Sequence, residues 1–202
     1  MILAFDLDDT LIDTFSVLLA SCNQTYGENF QKEEFVSHNF ASVWKITGEQ
    51  WKIRFCDFDQ TKAARDIPIL PGAQKMIAHL AQYYYLHIVT SRPVEVAKQT
   101  RKLVLRYFPD MFSGIHFCTK DWGSTHICSK NEMCASLGAI ALIDDHPKHV
   151  GLCVEAGLKV CVFDQPWNQP HHYPETNGSM ARIFEWNDEA TKKIKLLTTV
   201  QT

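Results

Sequence analysis

The seven cysteines of this 202-residue chain form no CxxC pair. Their odd number and spacing exclude the common zinc ligand sets and the paired frameworks of secreted proteins, and fit reduced thiols in the cytoplasm. No basic block stands out, and the net charge is −3, from twenty Lys plus Arg against twenty-three Asp plus Glu. Long nucleic acid is therefore not an expected partner. No apolar stretch is long enough to cross a bilayer, so no membrane partner is expected. The N-terminal apolar run breaks at Asp6, too early for a signal peptide. The nine histidines form no HxxxH or HxH ligand set, and there is no internal repeat or low-complexity tract.

Apolar side chains are plentiful: 46% of the residues, with twelve Phe and five Trp. That is enough for a substantial core, and the length suits one domain carrying an insertion. Five short apolar runs read as buried strands: ILAF before Asp6, YLHIV before Thr90, GIHFC at 114–118, AIALI before Asp144, and KVCVF before Asp164. Helical patterns lie between the later ones. Met76, Ile77, Leu80, Ala81 and Tyr84 recur on one side, and Pro93 suits a first helical position. NEMCASLG and PKHVGLCVEAG each end at a glycine fit for a C-cap. Short buried strands alternating with helices imply an α/β fold, a parallel sheet covered on both faces.

Residues 14–68 differ. They separate the first two strands by more than one crossover needs and hold no clear strand. Val36, Phe40, Val43 and Trp44 share one helical face, and Trp51, Phe55 and Phe58 share another. The reading is a small helical cap inserted at 14–68 into a core formed by 1–13 and 69–202, with Pro68 and Pro71 marking the return. After the fifth strand, the Pro-rich QPWNQPHHYPETNGSM reads as a surface excursion, His171 and His172 included, and WNDEATKKIKLL as a last helix.

The first strand runs into DLDDTLIDT, which places Asp6, Asp8, Asp9 and Asp13 close together. Two carboxylates about 4 Å apart at an effective dielectric near 20 repel by roughly 4 kcal/mol. In an open α/β sheet the carboxyl ends of the strands meet in one crevice. Asp6, Thr90 and Asp144 each follow an apolar run, so all three arrive there, with Asp8 and Asp145 beside them. A cation offsets the repulsion. Oxygen donors without His or Cys select a hard ion, and Mg²⁺ suits a site shared with phosphate.

These residues carry a family resemblance. DLDDT at 6–10, VTSRP at 89–93, Lys130 and IDDHP at 143–147 resemble, in order, the four motifs of the haloacid dehalogenase (HAD) superfamily, and the second Asp of the first motif is that of its phosphatase branch. More narrowly, VTSRP, the paired Asp144–Asp145, FDQPWNQ at 163–169 and FEWNDEA at 184–190 resemble the cytosolic 5′(3′)-deoxyribonucleotidases. The resemblance implies a Rossmann-like parallel sheet with a helical cap. It implies a Mg²⁺-dependent phosphomonoesterase, acting on nucleoside monophosphates through an aspartyl-phosphate. Asp6 is then the nucleophile and Asp8 the general acid and base. Asp6, the main-chain carbonyl of Asp8, Asp144 and Asp145 hold the metal, with Asp145 acting through water or by orienting Lys130. Thr90, Ser91 and Lys130 bind the phosphoryl group, Ser91 together with the following helix N-terminus.

Plainer readings stand beside each role. Asp8 and Asp9 also suit a solvated turn, Thr90 and Ser91 a helix cap, and Asp145 a cap for the His146–Pro147 turn. Lys120, in CTKDWG, competes with Lys130 for the phosphate. Arg92 can touch substrate or pair with a surface acid. Phe40, Trp44, Trp51 or Phe55 can stack on a base or form the core of the cap. Asp164 and Gln165 can approach the pocket or end the fifth strand. A sugar-phosphate phosphatase and a catalytically silent interaction module are the rival functions. The oligomeric state is not written in these patterns.

Overall fold

The computed structural model describes residues 1–121, 126–169 and 178–199. The fold is built on a six-stranded parallel sheet: β1 (Ile2–Phe5), β2 (Tyr85–Pro93), β3 (Gly114–Thr119), β4 (Ala139–Asp144), β5 (Lys159–Phe163) and β6 (Met180–Ile183), in the order β3-β2-β1-β4-β5-β6. The central strands are apolar throughout because helices cover both faces. Residues Leu3, Ala4 and Phe5 of β1 are wholly buried. The α/β reading and its first five strands hold. The sixth was missed, since MARI is short, carries Arg182 and needs only one partner, β5.

Nine α-helices are seen among the described residues: α1 (Thr14–Tyr26), α2 (Phe40–Val43), α3 (Gly48–Asp59), α4 (Lys62–Arg65), α5 (Ala73–Leu80), α6 (Ala97–Tyr107), α7 (Lys130–Leu137), α8 (Pro147–Glu155) and α9 (Asp188–Thr198). Helix α7 starts with a capping box between Ser129 and Glu132 and stops at Gly138, which is left-handed. The α5 turn depends on Gly72 at φ 81°, where a Cβ would lie 2.0 Å from the Trp186 carbonyl oxygen.

Two local expectations are corrected. Pro93 closes strand β2 rather than opening a helix, and α6 begins only at Ala97. Val36 does not share a buried helical face with Phe40, because helix α2 spans four residues and Val36 is 57% exposed. The apolar spacing there reflects an irregular chain folded around a shared aromatic core, in which Phe35 is wholly buried.

Between residues 14 and 68 the chain is helical and turn-like, with no strand. Its entry and exit lie side by side: Asp13 N donates to Pro68 O at 2.9 Å, and Leu70 N to Leu11 O at 2.9 Å. Two strands of chain thus join this region to the sheet. Its core is aromatic: Phe15 packs on Phe35, Phe40 and Trp44, with ring centroids 4.7, 4.5 and 6.0 Å apart. Phe15 and Phe40 also touch Trp167, which follows β5. The helical region and the sheet therefore share one hydrophobic cluster. The 170–177 stretch of the Pro-rich segment, with His171 and His172, lies outside the described residues.

Candidate active site

Register places the acidic residues. Phe5 pairs with Ile88 on one side and Ile143 on the other, so Asp6 and Asp144 emerge together at the carboxyl edge. Asp6 N donates to Ile143 O at 2.8 Å and locks that alignment. Carboxylate oxygens of Asp6, Asp144 and Asp145 lie within 4.8 Å of one another, all in buried residues.

One ammonium balances part of this charge. Lys130 Nζ lies 2.7 Å from Asp6 Oδ1 and 2.7 Å from Asp144 Oδ2. Burial opposes its charge, yet the carboxylates of Asp144 and Asp6 raise its pKa above the ordinary lysine value. Lys120, by contrast, is exposed at the end of β3. Burial raises the Asp144 pKa less than Lys130 and His149 lower it, and the group ends well below the usual carboxylate range. Asp6 goes the other way, to about 7, because burial and the nearby Asp144 and Asp8 outweigh Lys130. Asp145 also rises well above its ordinary value through burial and the charges of Asp144 and Asp6.

Asp145 does not orient Lys130; Asp6 and Asp144 do that. The Asp145 carboxylate is held by Thr10 Oγ1 at 3.2 Å and by the Trp167 indole N–H at 2.8 Å. Nor does Asp145 cap the following turn: His146 N donates to Asp144 Oδ1 at 2.8 Å. Asn168 Nδ2 donates to the Asp145 carbonyl, and Gln165 Nε2 to the Asp9 carbonyl at 2.7 Å. Gln165 thus approaches the site from β5, while Asp164 pairs with Arg182.

Asp8 is bound on both oxygens. Arg92 Nη2 donates to Oδ1 at 2.7 Å, Arg92 Nε to Oδ2 at 2.9 Å, and the Thr14 hydroxyl to Oδ1. Burial works against ionisation, but Arg92 outweighs it and lowers the Asp8 pKa. Asp9 is no solvated turn residue. It is buried at φ 56°, accepts from Phe15 N at 2.9 Å, and has its pKa raised by burial to about 8.

Beside these groups opens a cavity of about 180 Å³. Asp6, Asp8, Asp9 and Asp145 form its floor, and Phe15, Leu18, Phe40, Trp51 and Phe55 its apolar wall. Ser91 and Arg92 line it too, whereas Thr90 is fully buried and accepts from Arg92 N at 3.1 Å. Trp44 is not a lining residue. It packs in the aromatic core, 5.3 Å from the stacked Trp51 ring. The rim carries a stack of imidazoles: His38 on His146 at 3.6 Å and His146 on His149 at 4.4 Å. Burial lowers the pKa of all three, His38 to about 4 and His146 to about 2.

The family described as 5′ nucleotidase, deoxy (pyrimidine), cytosolic type C protein (NT5C) matches residues 1–195. The chain belongs to the NT5C family. No curated protein matches it. Among solved structures, an HAD-superfamily hydrolase of subfamily IA from Geobacter sulfurreducens is 15% identical, with TM-score 0.59, over 97% of this chain and 95% of that one. The magnesium-bound HAD-hydrolase YfnB of Bacillus subtilis is 17% identical, with TM-score 0.57, over 96% and 97%. CbbY of Rhodobacter sphaeroides in complex with xylulose-(1,5)bisphosphate is 13% identical, with TM-score 0.57, over 93% and 95%. At these identities the likeness shows the fold, and the fold is that of HAD hydrolases.

For an NT5C protein a divalent cation is the expected cofactor, and the donor set fits one. Asp6, Asp144 and Asp145 offer only oxygen, which suits Mg²⁺ and not a soft ion. Lys130 pairs with Asp6 and Asp144 alone, and burial first, then the neighbouring carboxylates, raise Asp6 and Asp145. No helix among the described residues is long and apolar enough to cross a membrane. All seven cysteines are free thiols.

Sequence reasoning missed Thr10, Thr14, His38, His149 and Trp167. Thr10 and Trp167 left a signal, as parts of DLDDT and FDQPWNQ; the others are common residue types whose meaning depends on what folds against them.

Proposed function

We propose that this NT5C protein hydrolyses nucleoside monophosphates through a phosphoenzyme formed on Asp6. What supports the nucleotide reading is the apolar wall of Phe40, Trp51 and Phe55 facing the carboxylate floor. A flat base gains from aromatic contact, whereas a sugar phosphate needs hydrogen-bond partners for its hydroxyls. In the proposed reaction an Asp6 oxygen attacks phosphorus and the bond to the leaving oxygen breaks. Asp8, ionised against Arg92 in the empty site, first takes a proton from solvent as that ion pair opens and then gives it to that oxygen. Asp8 then takes a proton from water as the water attacks the phosphorus of the acyl phosphate, which frees phosphate and restores Asp6. Lys130 keeps Asp6 oriented and offsets charge on the transferring group. Ser91 and the Thr90 hydroxyl are the proposed neutral donors to the phosphoryl oxygens. Mg²⁺, held by Asp6, Asp144 and Asp145, would screen the repulsion between nucleophile and anionic substrate.

The helical region 14–68 is proposed to act as a cap, shielding the acyl phosphate from premature water and selecting the leaving group. The test is phosphate release from nucleoside monophosphates, sugar phosphates and p-nitrophenyl phosphate, with Mg²⁺ present. The expected result is the highest kcat/KM on a nucleotide. A higher value on a sugar phosphate, the class of ligand bound by CbbY, would overturn the nucleotide reading. Absence of any Mg²⁺-dependent release would overturn the phosphatase.

A further inference from the structure

The Asp8 carboxylate is occupied on both oxygens by Arg92, with Thr14 adding a third partner. In that arrangement the carboxylate is held as an ion pair, turned to the guanidinium and without a proton for a leaving group. The cavity floor also presents four carboxylates to an incoming dianion. Lys130 is not among the lining residues, and its ammonium is already shared between Asp6 and Asp144. The rim histidines carry no permanent charge, unlike a guanidinium. Arg92 is therefore the one fixed positive charge on the cavity wall among the described residues.

The chain is built to place it there. Between Thr90 and Pro93, strand β2 advances three residues while its partner β3 advances two, from Phe117 to Thr119. The extra residue makes a bulge, a device that redirects a side chain out of the normal alternation. The bulge backbone is fixed by the bond from Arg92 N to Thr90 Oγ1. The guanidinium ends a long side chain with several rotatable bonds, on a fixed backbone.

We propose that Arg92 is an exchange residue: it holds Asp8 while the site is empty, and moves to the phosphoryl oxygens of the entering monoester, leaving Asp8 free to turn to the leaving oxygen. This rests on the phosphatase reading and deepens it by giving Arg92 two successive partners. A phosphomonoester dianion carries twice the charge of a carboxylate and offers the same bidentate geometry, so at equal distance it attracts the guanidinium more strongly. The exchange couples substrate arrival to release of the proton-transfer residue. Without substrate, Asp8 stays tied back and the site is not poised to activate water.

Two structures of the Mg²⁺-loaded protein test this, one without anion and one with tungstate, a phosphate mimic that reports binding without turnover. Arg92 is expected on Asp8 in the first and on tungstate oxygens in the second, with the Asp8 bond broken. Arg92 still paired with Asp8 beside bound tungstate would overturn the proposal. Calorimetry gives the second arm. Arg92→Gln should weaken tungstate binding by about tenfold or more, and Arg92→Lys by less. A residue that only positions Asp8 predicts unchanged tungstate affinity and a loss of kcat alone, and that result would also overturn it. Neither readout depends on nucleotide hydrolysis. An exchange seen in a protein that prefers sugar phosphates would sink the nucleotide reading alone, and nucleotide turnover with Arg92 unmoved would sink the exchange alone.

Discussion

The Lys130 ammonium stands 2.7 Å from the Asp6 carboxylate, although the two are 124 positions apart in the chain. Removing either partner has a different expected outcome. Asp6→Asn should lose turnover by on the order of a thousandfold or more while the melting temperature changes little, since the carboxylate is itself strained by its acidic neighbours. Near-wild-type hydrolysis by Asp6→Asn would remove the covalent mechanism.

Lys130→Met should leave Asp6 and Asp144 without compensation. The expected cost is about 3–5 kcal/mol in a denaturant titration without metal, the range for a broken buried ion pair. Added Mg²⁺ should return part of it, because the ion supplies charge to the same carboxylates. A variant as stable as wild type in EDTA would show that the ammonium is not needed to hold the cluster.

The pH dependence of the metal-free protein follows from opposed shifts. Folded Asp6 and Asp9 hold their protons up to about 7 and about 8, against an ordinary 3.8. Across that interval the folded state binds more protons than the unfolded one, so rising pH lowers stability. His38 and His146, depressed to about 4 and about 2 from 6.5, act in the opposite sense, and their effect ends once the unfolded imidazole titrates near 6.5. The two effects compete below pH 6.5, and only the carboxylate effect remains above it. Thermal melts in EDTA should show stability falling between pH 6.5 and 8, by roughly 1–2 kcal/mol. Mg²⁺ should flatten that fall, since it favours the ionised carboxylates. A melting temperature that rises through this interval in EDTA would contradict the assignment.

Trp44 and Trp51 are stacked neighbours with different expected roles. Trp44→Ala should cost about 3–5 kcal/mol of stability, as for a buried aromatic, with similar losses on every substrate. Trp51→Ala, at the cavity wall, should lose roughly 1–3 kcal/mol of transition-state binding on nucleotides, by analogy with base stacking, and much less on p-nitrophenyl phosphate. Equal losses on both substrates for Trp51→Ala would place that ring in the structural core alone.

Trp167→Phe keeps an aromatic ring, smaller than the indole, and removes the N–H that reaches Asp145. Stability should fall by about 1–3 kcal/mol, and Mg²⁺ affinity by about tenfold, because a group that orients a metal carboxylate is lost. Unchanged Mg²⁺ affinity by calorimetry would separate Trp167 from the metal site.

The sequence by itself determined the parallel α/β sheet and the edge where its charges meet. Strand identity there follows from unbroken apolar runs, as in LAF before Asp6 and ALI before Asp144, and parallel register carries the next residue of each to one crevice. It also pointed to helices and no strand between residues 14 and 68, where the structure has helices. The tertiary structure alone decided the partners. That Asp8 is tied to Arg92, that Asp145 is held by Thr10 and Trp167, and that Lys130 serves Asp6 and Asp144 together are contacts across long stretches of chain. Periodicity reports which way a side chain faces relative to its own element. It is silent on what arrives from another. The same limit separates Trp44 from Trp51: both sit at helical spacing, and only packing determines which one is enclosed by Phe15 and Phe35 and which one meets the cavity.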